Sequence, residues 1–128
     1  MFKVSDERGR CLSVVLLENI DFEDLVKKIE NAFGVSLLVS DKKGRYVAAW
    51  EGGDFSIEVI DRVDRLGDFL SDDSHVIDFF ANPDNNSNLE FEGKIKSILK
   101  EGGIKWARGV WSQVNRGDDF REIYPNFD

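Results

Sequence analysis

The chain holds one histidine, His75, and one cysteine, Cys11, so imidazole or thiolate chemistry would have to run through these two. A general base works when a third group orients it, and no sequence pattern supplies one for His75. Cys11 opens the run Cys11-Leu12-Ser13-Val14-Val15-Leu16-Leu17. In such apolar company a thiol packs rather than reacts. One Cys and one His cannot build a structural zinc site. The acid pairs Asp72-Asp73 and Asp118-Asp119 lack the spaced ligands and the obligatory Gly of a calcium loop, and read as solvated loop acids. The glycines never fall in GxGxxG or GxxxxGK[ST] order, so no phosphate loop is present. The expectation is a chain without catalytic, cofactor-binding or metal-binding residues.

One arrangement competes with that reading. Pro83-Asp84 followed by Glu92-Gly93-Lys94 spells the signature of the PD-(D/E)xK nucleases. In those enzymes the acids hold a metal that activates water and the lysine stabilises charge. That chemistry needs the acids and the lysine on neighbouring strands. Here Glu92 and Lys94 fall inside a predicted helix shortly after Asp84, in an acidic stretch that would repel a polyanion. A small metal-dependent nuclease built on Asp84, Glu92 and Lys94 is therefore kept as an alternative only.

Charge placement is more informative. The 128 residues carry a formal charge of −8. Between Glu51 and Glu92 twelve acids face two bases, Arg62 and Arg65, while the rest of the chain is slightly basic. A field of negative sign repels nucleic acid and anionic membranes and attracts a basic partner. Tyr46, Trp50, Trp106, Trp111 and Tyr124 would suit base stacking only in a basic groove, so they are assigned to core or interface packing. The single cysteine excludes an intrachain disulfide and fits a reducing compartment. The sequence has no stretch approaching the ~18 apolar residues of a membrane span, and Met1 to Glu7 lacks the apolar run of a signal peptide. The expected location is the cytoplasm.

The elements that must position these residues follow from periodicity. Asp6 to Arg10 and Asp41 to Arg45 share one turn grammar, Asp first and Gly near the end, and both predict hairpins. Strands are expected at Phe2–Ser5, Cys11–Leu17, Val35–Ser40, Arg45–Trp50, Phe55–Asp61 and His75–Phe80. In Phe55–Asp61 the residues Phe55, Ile57 and Val59 alternate with Ser56 and Glu58, as in a sheet with one wet face. Phe22, Leu25, Val26, Ile29 and Phe33 recur on one helical face, with Asp21 as N-cap, Gly34 at C′ and Lys27 and Lys28 on the other side. Truncating Phe33 should accordingly destabilise the fold sharply and truncating Lys28 hardly at all. Arg62 to Ser74 reads as a helical or irregular connection and Asn82 to Asn88 as a loop. A second amphipathic helix carries Phe91, Ile95, Ile98 and Leu99, with a capping box from Ser87 to Glu90. It stops at Gly102-Gly103, and Gly93 weakens it by about 1 kcal/mol. Ile104–Val114 fits strand and helix periods alike and is taken as a strand. The tail through Tyr124-Pro125 is irregular or an edge strand. The fold class is α+β, one domain over 1–128, with a mostly antiparallel sheet of five or six strands packed by two amphipathic helices.

The helix Asp21-Phe22-Glu23-Asp24-Leu25-Val26-Lys27-Lys28-Ile29-Glu30, followed by Gly44 to Trp50 and Phe55 to Asp61, resembles the small immunity proteins of bacterial contact-dependent growth inhibition and related polymorphic toxin systems. The resemblance covers the first half of the chain and has no shared motif, so it implies a function class and no site residue. It implies a cytoplasmic binding protein, not an enzyme, that neutralises a cognate basic toxin, a nuclease by preference, with no direct contact to nucleic acid. The free protein would be a monomer or a weak homodimer. Charge adds a candidate surface: Glu58, Asp61, Asp64, Asp68, Asp72 and Asp73 to meet the toxin, with Trp50 or Phe55 as a buried anchor. An acidic adaptor unrelated to toxins is the other alternative.

Overall fold

A computed structural model describes residues 11–53, 55–64, 74–81, 88–111 and 121–125. Among them the chain runs β1 (Cys11–Leu16), α1 (Phe22–Phe33), β2 (Leu38–Lys42), β3 (Arg45–Glu51), β4 (Phe55–Asp64), β5 (Val76–Ala81), α2 (Asn88–Glu101), β6 (Trp106–Trp111) and β7 (Arg121–Ile123). The strands form one open sheet of order β2-β3-β4-β5-β1-β6-β7, antiparallel at every pairing. The α+β class holds, with seven strands instead of five or six. The additional strand comes from the tail, where Arg121–Ile123 pairs with β6 along the sheet edge. The expected strand Phe2–Ser5, the hairpin at Asp6–Arg10, the capping residue Ser87 and the loop Asn82–Ser87 lie outside the described residues. Among those residues no helix is long and apolar enough to cross a membrane.

Local chemistry explains most element boundaries. Helix α1 begins after Asp21, whose backbone is extended but whose side chain makes no capping bond. Its first turn instead carries Glu23 and Asp24, which favour the positive end of the helix dipole. Gly34 closes it at φ 70°, a left-handed conformation that costs glycine little. The next residues stay out of the sheet because Glu30 holds them. Its carbonyl oxygen accepts from Gly34 N (2.8 Å) and Val35 N (3.2 Å), and its carboxylate accepts from Leu37 N (2.7 Å). Strand β2 therefore starts at Leu38, not at Val35. The β2–β3 hairpin turns on Lys43 (φ 58°) and Gly44 (φ 94°), the two positive φ values of a tight hairpin. Asp41 Oδ1 accepts from Gly44 N at 2.7 Å.

One side of the sheet carries the core. Leu12, Val14 and Leu16 of β1, Ile57 and Val59 of β4, and Ile77 and Phe79 of β5 are almost fully buried. They form one cluster with Phe22, Leu25, Val26 and Ile29 of α1 and Ile95 and Leu99 of α2. Each such side chain adds about 1.5–3 kcal/mol by leaving water. Both helices thus lie on the same side. They meet where Gly102 backs onto Ala32, close enough that a Cβ at Gly102 would sit 2.6 Å from the Ala32 methyl. Among the described residues no helix covers the opposite side of the sheet.

Candidate partner-binding surface

The helix-free side is built by alternation. Every residue of β1, β4 and β5 that points away from the core points there, and the strand register stacks them in rows. One row is aliphatic: Val47 lies opposite Ile60, Ile60 opposite Val76 and Val76 opposite Val15. The adjacent row is polar at its centre. Ala49 lies opposite Glu58, Glu58 opposite Asp78, Asp78 opposite Ser13 and Ser13 opposite Val110. Two carboxylates therefore stand directly across from each other on neighbouring strands, an arrangement that like charges disfavour. Both are half-buried. Ser13 Oγ donates to Asp78 Oδ1 at 2.6 Å. Burial raises the Asp78 carboxyl above its ordinary range, and the Ser13 bond only partly offsets this.

The other acids proposed from the sequence do not join this surface. Asp61 is three residues from Glu58 and so lies on the other side of β4, where it is 1% exposed. Its Oδ1 accepts from Val63 N at 3.1 Å. The continuing alternation Phe55, Ile57, Val59, Asp61 already contained this result. The backbone of Asp64 ends β4, while its side chain and the residues Asp68, Asp72 and Asp73 lie outside the described set. Trp50 and Phe55 are on the core side. Their rings meet edge to face with centroids 5.4 Å apart, and Phe55 also packs on Phe91 at 5.5 Å. Gly52 presses against the Trp50 indole so closely that a Cβ there would lie 2.2 Å from the ring. Trp50 and Phe55 are both partly buried and pack against the core. Asp78 and Ser13 were missed as members of the site, although the alternation of Ile77 and Phe79 with Val76, Asp78 and Phe80 marks a polar residue in an apolar strand.

The residues weighed for catalysis are separated. Cys11 and His75 occupy opposite ends of the β1–β5 ladder, since Cys11 faces Phe80 and Leu16 N bonds the His75 carbonyl. Five residues of strand put about 16 Å between them. Burial, aided by the Asp78 charge, pushes the Cys11 thiol up to about 11, so it is protonated at neutral pH. Glu92 and Lys94 leave α2 on different sides. Glu92 is buried and accepts a hydrogen bond from the Trp111 indole N–H, whereas Lys94 is exposed with its Nζ 5.1 Å above the Phe55 ring. Asp84 lies outside the described residues. Among those residues no group of three or more His, Cys, Asp or Glu side chains could hold a metal.

Glu92 thus has a structural task, which a substitution series will expose. Glu92→Ala removes an acceptor from a buried indole N–H and should cost about 1–3 kcal/mol. Glu92→Gln keeps an acceptor oxygen and should cost clearly less. Urea midpoints of the two variants, followed by tryptophan fluorescence, check this, and equal midpoints would mean the bond to Trp111 carries no weight.

No protein-family model matches this chain, and no curated protein or solved structure was found to be similar to it.

Proposed function

We propose that this protein acts by binding a basic protein partner through the helix-free side of its sheet, as a cytoplasmic immunity protein that neutralises a toxin. The observation that carries the reading is the opposed pair Glu58 and Asp78, half-buried in the centre of that surface beside an aliphatic row. A fold gains nothing internal from holding two carboxylates across from each other. A partner's Arg or Lys placed between them relieves the repulsion, and the surrounding Val15, Ile60, Val76 and Val47 exclude water from the contact. Charge-assisted bonds formed in such a setting are strong and specific. The excess of acids between Glu51 and Glu92 would speed encounter with a basic surface. A toxin that grips nucleic acid has such a surface, and covering its substrate cleft would inhibit it. The immunity assignment itself is supported by the resemblance of the first half of the chain, and in this reading the protein performs no catalysis of its own.

The test exploits a conflict between stability and binding. Asp78→Asn keeps the acceptor for Ser13 and removes both the like-charge opposition and the burial of a charge. The sign follows from the raised carboxyl: the folded state holds its proton more tightly than the unfolded state, so Asp78 subtracts stability as pH rises past the ordinary value of 3.8. Asp78→Asn should therefore raise the denaturation midpoint at pH 7 and leave it nearly unchanged in strong acid. The same variant, and Glu58→Gln, should weaken binding to the native partner by about 2–5 kcal/mol. The partner is isolated by affinity capture on the wild-type chain from the native host and assayed for nuclease activity with and without the immunity chain. Binding that survives both substitutions removes the sheet surface from consideration, and a captured partner that is acidic or inert removes the toxin assignment.

A further inference from the structure

On the helix side of the molecule, away from Glu58 and Asp78, a groove of about 640 Å³ opens between α2 and the chain entering β6. Its floor is apolar: Leu17, which is 59% exposed, with Ile104 and Trp106 beside it. Its rim is cationic. Lys96 and Lys100 lie one turn apart on α2, and Lys105, in the segment before β6, also lines the groove. Like charges one turn apart on a helix oppose each other, and the chain as a whole has a charge of −8. Three cations around an apolar floor are thus a local reversal. Among the described residues no carboxylate lies within ion-pair distance of these ammonium groups. Glu18, which the Lys105 backbone holds, has its own partners. Its carboxylate accepts from the Lys105 backbone N–H at 2.8 Å and pairs with Lys28 Nζ at 3.1 Å, and it feels the Lys105 ammonium only through space.

Gly93 adds an independent point. It lies within α2 and lines the groove, where glycine is about 1 kcal/mol worse than alanine. A Cβ at this position would meet nothing within 4 Å, so no contact among the described residues demands glycine. The volume left beside it belongs to the groove.

We infer that this groove binds a small amphipathic carboxylate, its apolar body lying on Leu17, Ile104 and Trp106 and its head group among Lys96, Lys100 and Lys105. The volume falls in the range of small-molecule sites, roughly 300–1,000 Å³, in which apolar walls hold the body and a few polar groups fix the head. This site shares no residue with the sheet surface, so it stands or falls separately from the partner-binding reading.

The test titrates the purified full chain with dodecanoate below its micellar concentration, read by calorimetry and by tryptophan fluorescence. Dodecanol and dodecylammonium serve as head-group controls. Saturable binding of dodecanoate is expected, with dodecylammonium weaker by about tenfold or more, the weight of one charge-assisted contact. Gly93→Leu fills the groove from a position with free space and should weaken dodecanoate binding by about tenfold or more while leaving the denaturation midpoint unchanged or raised. Lys96→Gln combined with Lys100→Gln should bring dodecanoate toward the level of the alcohol. Absence of saturable binding, equal affinity for dodecylammonium, or full affinity in a folded Gly93→Leu variant overturns the proposal. So does an acidic amphipathic peptide that occupies the groove when dodecanoate does not, since the groove would then belong to a protein partner.

Discussion

Replacing Phe79 with alanine is expected to destabilise the fold by about 3–5 kcal/mol, a large share of the 5–15 kcal/mol that holds a typical domain together. Phe79 is fully buried and is the hub of an aromatic cluster, with ring centroids 5.6 Å from Phe33, 6.3 Å from Phe91 and 6.5 Å from Phe55. Through these contacts one side chain of β5 touches α1, α2 and β4. Its removal opens a cavity at their junction that none of them can fill without moving off the sheet. The neighbouring Phe80 provides the control. It is the same residue type in the same strand, but it lies half-buried on the helix-free side opposite Cys11 and Ser56. Phe80→Ala should cost less than half as much. Guanidinium denaturation at matched slopes distinguishes the two, and similar midpoints would mean that the faces of β5 are assigned the wrong way round. The cluster also revises an expectation about α1. Phe33 is only half-buried, so its truncation should cost less than that of Phe79. Lys28 is not idle, because it pairs with Glu18, which in turn holds the backbone of Lys105.

His75→Ala should be the second severe substitution, at about 2–4 kcal/mol. The ring is 1% exposed and joins three parts of the chain. Its Nδ1 accepts from Arg62 N at 3.1 Å, which puts the proton on Nε2, and Nε2–H donates to the Ile20 carbonyl at 2.8 Å. The ring therefore ties the end of β4 to the segment that leads into α1, while the His75 backbone carbonyl accepts from Leu16 N at 3.0 Å. Alanine at this position would leave two backbone groups without partners and a void beside Phe22, whose ring lies 6.3 Å away. His75→Gln retains a donor and an acceptor and should recover part of the loss. Thermal denaturation of the two variants is the measurement. A His75→Ala protein as stable as the parent would show that water replaces both bonds and that the lone histidine has another purpose. Asp61 belongs to the same arrangement, with its Oδ1 3.7 Å from His75 Nδ1. This buried acid accordingly serves the fold.

What the sequence determined by itself was everything governed by short-range backbone geometry. The apolar stripe Phe22, Leu25, Val26 and Ile29 is a helix facing a core wherever it is placed. The pair Lys43-Gly44 after Asp41 makes a tight turn because the dihedral requirements are local. The alternation from Phe55 onward specified which residues of β4 are internal, Asp61 included. The segment from Ile104 was ambiguous for a physical reason. The register between β1 and β6 shifts at Val15 and Leu16, so that Leu16 faces Trp106 while Val15 faces Arg108. The inserted residue breaks the period of two, and the buried positions become Trp106, Gly109 and Trp111.

Only the tertiary structure decided which strands are neighbours. β1 lies between β5 and β6, partners far from it in sequence, and no local pattern encodes that choice because it depends on how the whole set of apolar faces closes over the two helices. The candidate surface follows from this. Ser13, Glu58 and Asp78 come together because β4, β5 and β1 are adjacent and in register, just as Lys96, Lys100 and Lys105 meet only because β6 returns beneath α2. Composition located an excess of acid in the middle of the chain. It could not say that Asp61 would be buried on the core side while Glu58, three residues earlier, would share a row with Asp78 on the other side, since the side a strand residue takes is local but the residue set across from it is fixed by long-range pairing.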